Sequence, residues 1–101
     1  MHARVMTALA KPGHMEEMLN IYKSIIATAE KQKGFKGLTL LANPHTNKIM
    51  SISMWETETD MKAGENSSYL REKIASVAAT CIFDGTPVIE HFEINIRSEY
   101  S

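Results

Sequence analysis

His91 and Asn95 recur at even spacing in VIEHFEINIR (88–97), so a strand there puts them on one face, with Glu93 and Arg97. In KIMSISMW (48–55) the same alternation groups Ile49, Ser51, Ser53 and Trp55 on one face, and Met50, Ile52 and Met54 on the other. These polar positions are where chemistry is expected. An imidazole changes charge near neutral pH, so His91 is the candidate general base. Asn95, Ser51 and Ser53 would hold a substrate oxygen, and Trp55, the only tryptophan, would wall the same pocket. The structural alternative is that His91 and Glu93 make ordinary hydrogen bonds at a subunit contact, and that Trp55 packs there or at a pocket wall.

Other chemistries find less support. His2, His14, His45 and His91 are scattered and form no metal-binding spacing, so no metal is expected. Cys81 is the single cysteine, which rules out an intramolecular disulfide and a cysteine-based zinc site. There is no Ser-His-acid order, phosphate loop or nucleotide fingerprint. The net charge of −1 offers no footprint for nucleic acid. Lys11, Lys23, Lys31, Lys33 and Lys36 are interrupted by acids and read as a solvated face. Ala8-Leu9-Ala10 looks like a cleavage site, but what precedes it is too short for a signal peptide. No run approaches the ~18 apolar residues of a membrane span, so a cytoplasmic protein without membrane contact is expected.

The elements that must position these residues follow from periodicity. The 101 residues suit one domain, with a core over about 3–97. ARVMTALA (3–10) alternates as a strand and Lys11-Pro12-Gly13 breaks it. From about His14 to Lys33, Met15, Met18, Leu19, Tyr22, Ile25, Ile26 and Ala29 form one helical stripe, with Gly34 as its stop. GLTLLAN (37–43) is a second strand with leucine on both faces, and NPHTN turns into the third. Thr57-Glu58-Thr59-Asp60 reads as a capping box opening a short helix that stalls near Gly64. A further helix follows Asn66, with Leu70, Ile74, Val77, Ala78 and Cys81 as its stripe and Tyr69 at its start. The order βαββαβ predicts a ferredoxin-like α+β fold: a four-stranded antiparallel sheet with helices on one face.

The even-numbered apolar residues of the third and fourth strands are expected under the helices. The opposite face would then carry Val5, Leu9, Leu41 or Leu38, Ile49 and Trp55 with Thr7, Ser51, Ser53, His91, Glu93 and Asn95. So much apolar surface on an open sheet predicts a twofold homodimer, sheet against sheet. A mixed lining of that kind suits a small, mostly apolar ligand.

AKPGHMEEM after the first strand, KGFKGLTLL leading into the second and SMWETETDMKA after the third carry a resemblance. Together they resemble the antibiotic biosynthesis monooxygenase family of the dimeric α/β barrel superfamily, over nearly the whole chain. The resemblance implies a dimer with an internal pocket for aromatic or quinone-like compounds, and in several members oxygenation without metal or flavin. In that chemistry a base, here His91, would deprotonate a phenol or hydroquinone whose anion then passes an electron to oxygen. Haem-degrading members carry an Asn, a Trp and a His where this chain has Thr7, Gly64 and a residue near Ile74, so haem degradation is disfavoured and no cofactor is expected. Thr7 remains a candidate pocket residue beside Trp55, Ser51, Ser53 and Asn95. Two functions stay open: a cofactor-independent monooxygenase of a small aromatic or quinone-like metabolite, and a non-catalytic dimer that binds a small ligand or a partner.

Overall fold

A computed structural model describes residues 1–66, 72 and 83–98. The described elements run β1 (His2–Leu9), α1 (Met15–Ala29), β2 (Phe35–Asn43), β3 (Lys48–Trp55), α2 (Glu58–Glu65) and β4 (Val88–Glu93). All neighbouring strands are antiparallel, and the sheet order is β2-β3-β1-β4. This is the ferredoxin-like arrangement expected from the element order. The helix expected after Asn66, with Tyr69 and the stripe to Cys81, lies outside the described residues, apart from Glu72, which is helical.

The register determines which side chains share a face. Arg4 lies opposite Ser53 on β3 and opposite His91 on β4, and Met6 lies opposite Ser51 and Ile89. Leu38 and Leu40 pair with Ser53 and Ser51. Met18 and Tyr22 of α1 close on this face over Met6, Ala10 and Ile49. Met18 and Ile49 are fully buried, and each such burial contributes about 1.5–3 kcal/mol.

The helices therefore cover Ile49, Ser51, Ser53 and Trp55, not Met50, Ile52 and Met54 as expected. On β3 the odd-numbered residues are the buried ones. Within each strand the grouping by parity holds, but between strands it does not: Val5, Thr7 and Leu9 stay uncovered as expected, while Ile49, Ser51, Ser53 and Trp55, expected beside them, are turned under the helices. Period-two alternation says which residues go together but not which set meets the helices. Both sets are apolar enough to be a core, and the more apolar of the two is left half-open.

That open face presents Val5, Thr7 and Leu9 of β1, Leu41 of β2, Met50, Ile52 and Met54 of β3, and Val88 and Phe92 of β4. Leu9, Leu41, Val88 and Phe92 are each more than 40% exposed. Phe92 was expected beneath the helices; it stands on the uncovered side. Ile94 and Ile96 lie past the end of β4, and Ile96 is solvent-exposed. β4 also proves to be an edge strand, because β1 is the one that pairs with both β3 and β4.

Helix α1 is shorter than the span from about His14 to Lys33 expected for it. It ends at Ala29, and the amides of Lys31 and Gln32 reach back three residues to Thr28 and Ala29 in a tightened last turn. Lys31 and Lys33 thus fall beyond the helix. Gly34, at φ +79°, serves the loop into β2 instead, where its carbonyl accepts the Glu56 amide at 2.7 Å. A Cβ there would run into Asp60 of α2, so the loop and helix meet at a glycine. Helix α2 starts as read: Thr57 Oγ1 accepts the Asp60 amide at 3.1 Å.

Candidate functional site

Trp55 ends β3 with no exposed surface. Its indole Nε1–H donates to Ser53 Oγ at 3.0 Å. Phe35 stands edge-on to the ring at 5.3 Å, and the Arg4 guanidinium lies 5.5 Å from its centroid. Gly64 of α2 closes the remaining side: a Cβ at that position would sit 2.6 Å from Trp55 Cη2. This contact also bears on haem. A tryptophan at position 64, where haem-degrading members carry one, would need the space that Trp55 fills.

In front of this group is a cavity between α1 and the sheet. Its walls are Arg4 and Met6 of β1, Tyr22, Ile25 and Ala29 of α1, Phe35 and Leu38 of β2, Ser51, Ser53 and Trp55 of β3, and Ile89 of β4. The free volume is about 30 Å3, close to the share of one water in the liquid.

Among the described residues, two of its polar groups are under-partnered. The Tyr22 hydroxyl is buried without a hydrogen-bond partner among the described residues, and burial pushes its pKa up to about 12. At neutral pH it is a proton donor and not a base. Burial also lowers the Arg4 pKa, against the opposing influence of Glu65. Arg4 makes one long bond, Nη1 to the Met61 carbonyl at 3.4 Å, and no ion pair joins it to a carboxylate among the described residues. Ser53, by contrast, is occupied in both directions, accepting from Trp55 and donating to the Arg4 carbonyl at 3.4 Å.

An unbonded buried hydroxyl forfeits about 1–3 kcal/mol. Tyr22→Phe is therefore expected to raise stability by about 1 kcal/mol, some 4–8 °C in melting temperature for a domain near this size. Differential scanning calorimetry of the ligand-free protein checks this. A lower melting temperature would mean that the hydroxyl has a partner in solution.

The structure brings Trp55, Ser51 and Ser53 together at this cavity and leaves the other sequence candidates elsewhere. His91 shares the covered face, but its Nε2 is 2.5 Å from Glu65 Oε2 and its side chain is 40% exposed. It lines a shallow surface hollow with His2, Glu58, Met61 and Glu93. Thr7 points to the open face, opposite Met50 and Val88. Asn95 lies exposed beyond β4. His14 pairs with Glu17 at the start of α1, and His45 sits in the β2–β3 turn. Among the described residues no three metal-ligating side chains converge.

Sequence reasoning missed Arg4 and Tyr22 as site residues. Tyr22 was absorbed into the apolar stripe of α1. The available signal was Arg4, a charge alternating with Met6 and Ala8 in a strand whose other face is also apolar. Charges at inward positions are rare without a purpose.

The model of the antibiotic biosynthesis monooxygenase family matches residues 1–75. The chain belongs to that family. Family-like structures agree in fold at low identity. A Deinococcus radiodurans protein named for antibiotic biosynthesis monooxygenases superposes with TM-score 0.84 at 11% identity, covering 100% of this chain and 99% of its own. A Nitrosomonas europaea protein of unknown function gives 0.82 at 20%, covering 99% and 94%. A Mycobacterium tuberculosis protein gives 0.81 at 8%, covering 97% and 98%. These likenesses establish the family fold and carry no substrate with them. No curated protein matches the sequence. Among the described residues no helix is long and apolar enough to cross a membrane.

Proposed function

We propose that this family member is a cytoplasmic, homodimeric, cofactor-independent monooxygenase of a small aromatic or quinone-like metabolite, acting in the cavity beneath α1. The observation that supports the reading is the cavity's make-up. Trp55, Phe35, Ile25 and Ile89 offer apolar walls for a ring, and Arg4, Tyr22, Ser51 and Ser53 offer polar groups for its oxygens. A ring needs more room than one water, so binding displaces wall side chains. Met6, with its unbranched and flexible chain, is the natural one to move.

The chemistry balances without a cofactor when the substrate supplies all the electrons. An ionised phenol or hydroquinone passes electrons to dioxygen. One oxygen atom enters the product, the substrate gives up two hydrogens, and the second oxygen leaves as water. The protein's share is to hold the ionised ring and keep bulk water from it.

One observation favours the non-catalytic alternative. Among the described residues that line the cavity there is no group suited to act as a base, and His91, the sequence candidate, is engaged by Glu65. If His91 acts catalytically, it does so from the rim. Oxygen consumption with a panel of hydroquinones decides between the readings. The native protein should exceed the blank, and His91→Ala should retain the rate within about tenfold, short of the 10²–10⁴ that a general base supplies. Native rates equal to the blank would end the oxygenase reading and leave a ligand-binding dimer. A hundredfold loss in His91→Ala would restore His91 as the base.

A further inference from the structure

Among the described residues, the polar end of the cavity has more donors than acceptors. A guanidinium carries five N–H donors and a phenol carries one. Of the Arg4 donors, one reaches an acceptor among the described residues, at a marginal 3.4 Å. The Tyr22 hydroxyl reaches none among the described residues. Ser53 has one lone pair left, because its oxygen accepts from Trp55 and its proton goes to the Arg4 carbonyl, so with Ser51 it offers only neutral hydroxyl acceptors to these donors. Glu65, the charge that acts on Arg4, is bonded to His91. A half-buried cation with unused donors, next to a buried donor with no acceptor, is a poor arrangement for an empty protein and a good one for an electron-rich ligand.

We propose that the cavity selects aromatic ligands bearing an ionised oxygen, which sits on the Arg4 guanidinium while the Tyr22 hydroxyl donates to a second oxygen of the same ring system. The inference rests on the reading of this cavity as the ligand site and narrows its ligand class to acidic phenols, which can supply the electrons, with hydroxyquinones, already oxidised, as product-like ligands. It also changes how the substrate is activated. The ligand's O–H bond breaks with its proton passing to solvent, and Arg4 stabilises the anion that remains. No base inside the cavity is then required. The Trp55 ring, 5.5 Å from the guanidinium, supports its charge.

The test compares 2-hydroxy-1,4-naphthoquinone, ionised at neutral pH, with its 2-methoxy ether, which cannot ionise. By isothermal titration calorimetry, the native protein should bind the hydroxyquinone at least about tenfold more tightly, the worth of one charge-assisted hydrogen bond. Arg4→Met should abolish that preference while still binding the ether. Arg4→Lys should restore part of it, and Tyr22→Phe should weaken both compounds alike. A readout that needs no variant is the visible absorption of the hydroxyquinone anion: bound to the native protein, the compound should ionise at lower pH than free in solution. Equal affinities for the two compounds, a preference that survives Arg4→Met, or an unchanged or raised ionisation pH would overturn the proposal. Oxygen uptake with neutral hydroquinones that Arg4→Met leaves unaltered would remove the anion subsite and spare the oxygenase reading. Hydroxyquinone binding through Arg4 with no oxygen uptake on any substrate would do the opposite.

Discussion

Trp55→Ala is expected to lower the unfolding free energy by about 3–5 kcal/mol, the usual cost of truncating a fully buried aromatic. Small domains have about 5–15 kcal/mol in total, so the variant should be marginal at 37 °C. Several contacts fail together. Ser53 Oγ loses the indole donor at 3.0 Å, Phe35 loses its edge-on partner, and Arg4 loses the ring face that supports its charge. The void opens beside Gly64, which has no side chain to fill it. Trp55→Phe keeps an aromatic wall and should lose clearly less. Urea denaturation followed by circular dichroism at fixed protein concentration measures both, since the alanine variant has no tryptophan to report by fluorescence. A loss under 1 kcal/mol would show that Trp55 is a loose wall residue and not the clamp joining β3 to α2.

Ile52→Lys should break the proposed homodimer. Ile52 pairs with Val5 on β1 and Thr39 on β2, at the middle of the open face. Leu41, Val88 and Phe92 around it are each about half exposed in the single chain, a patch that a monomer would rarely leave to water. A lysine buried there in both subunits, without a partner charge, should cost about 4 kcal/mol, roughly a thousandfold in association. By sedimentation at micromolar concentration, the native protein is expected at twice the 11.3 kDa chain mass and the variant at the chain mass. The native protein running at the chain mass would sink the dimer. A variant that remains dimeric would place the contact on another surface. Ile52 is away from the cavity, so the variant should keep its fold and any ligand binding that one subunit supports alone.

Local chemistry was legible wherever neighbours in the chain decide the outcome. The Thr57 cap, the Asn43–Asn47 turn and the hairpin of β2 and β3 each depend on a few adjacent residues, and the structure has them where the sequence places them. The element order, and with it the ferredoxin-like topology, followed from periodicity. The end of α1 did not: Lys31 and Lys33 suit a helix terminus by charge, yet the chain turns at Ala29 to bring Gly34 against Asp60.

By itself, then, the sequence determined which residues of one strand travel together, but not how the sets of different strands combine: Val5, Thr7 and Leu9 were expected beside Ser51 and Trp55 and lie on the other face. Ile49, Ser51, Ser53 and Trp55 share one face with His91, and the structure keeps that set on one side of the sheet. Only the tertiary structure decided which side α1 and α2 cover. With two apolar faces available, the choice depends on how helices and strands pack across tens of residues, and a two-residue period holds no information about that. The same long-range contacts put Trp55, expected at a pocket wall or a subunit contact, at the wall of an internal cavity, and directed the His91 ring to Glu65. They also brought Arg4 and Tyr22, 18 positions apart in the chain, to one cavity with too few acceptors for their donors.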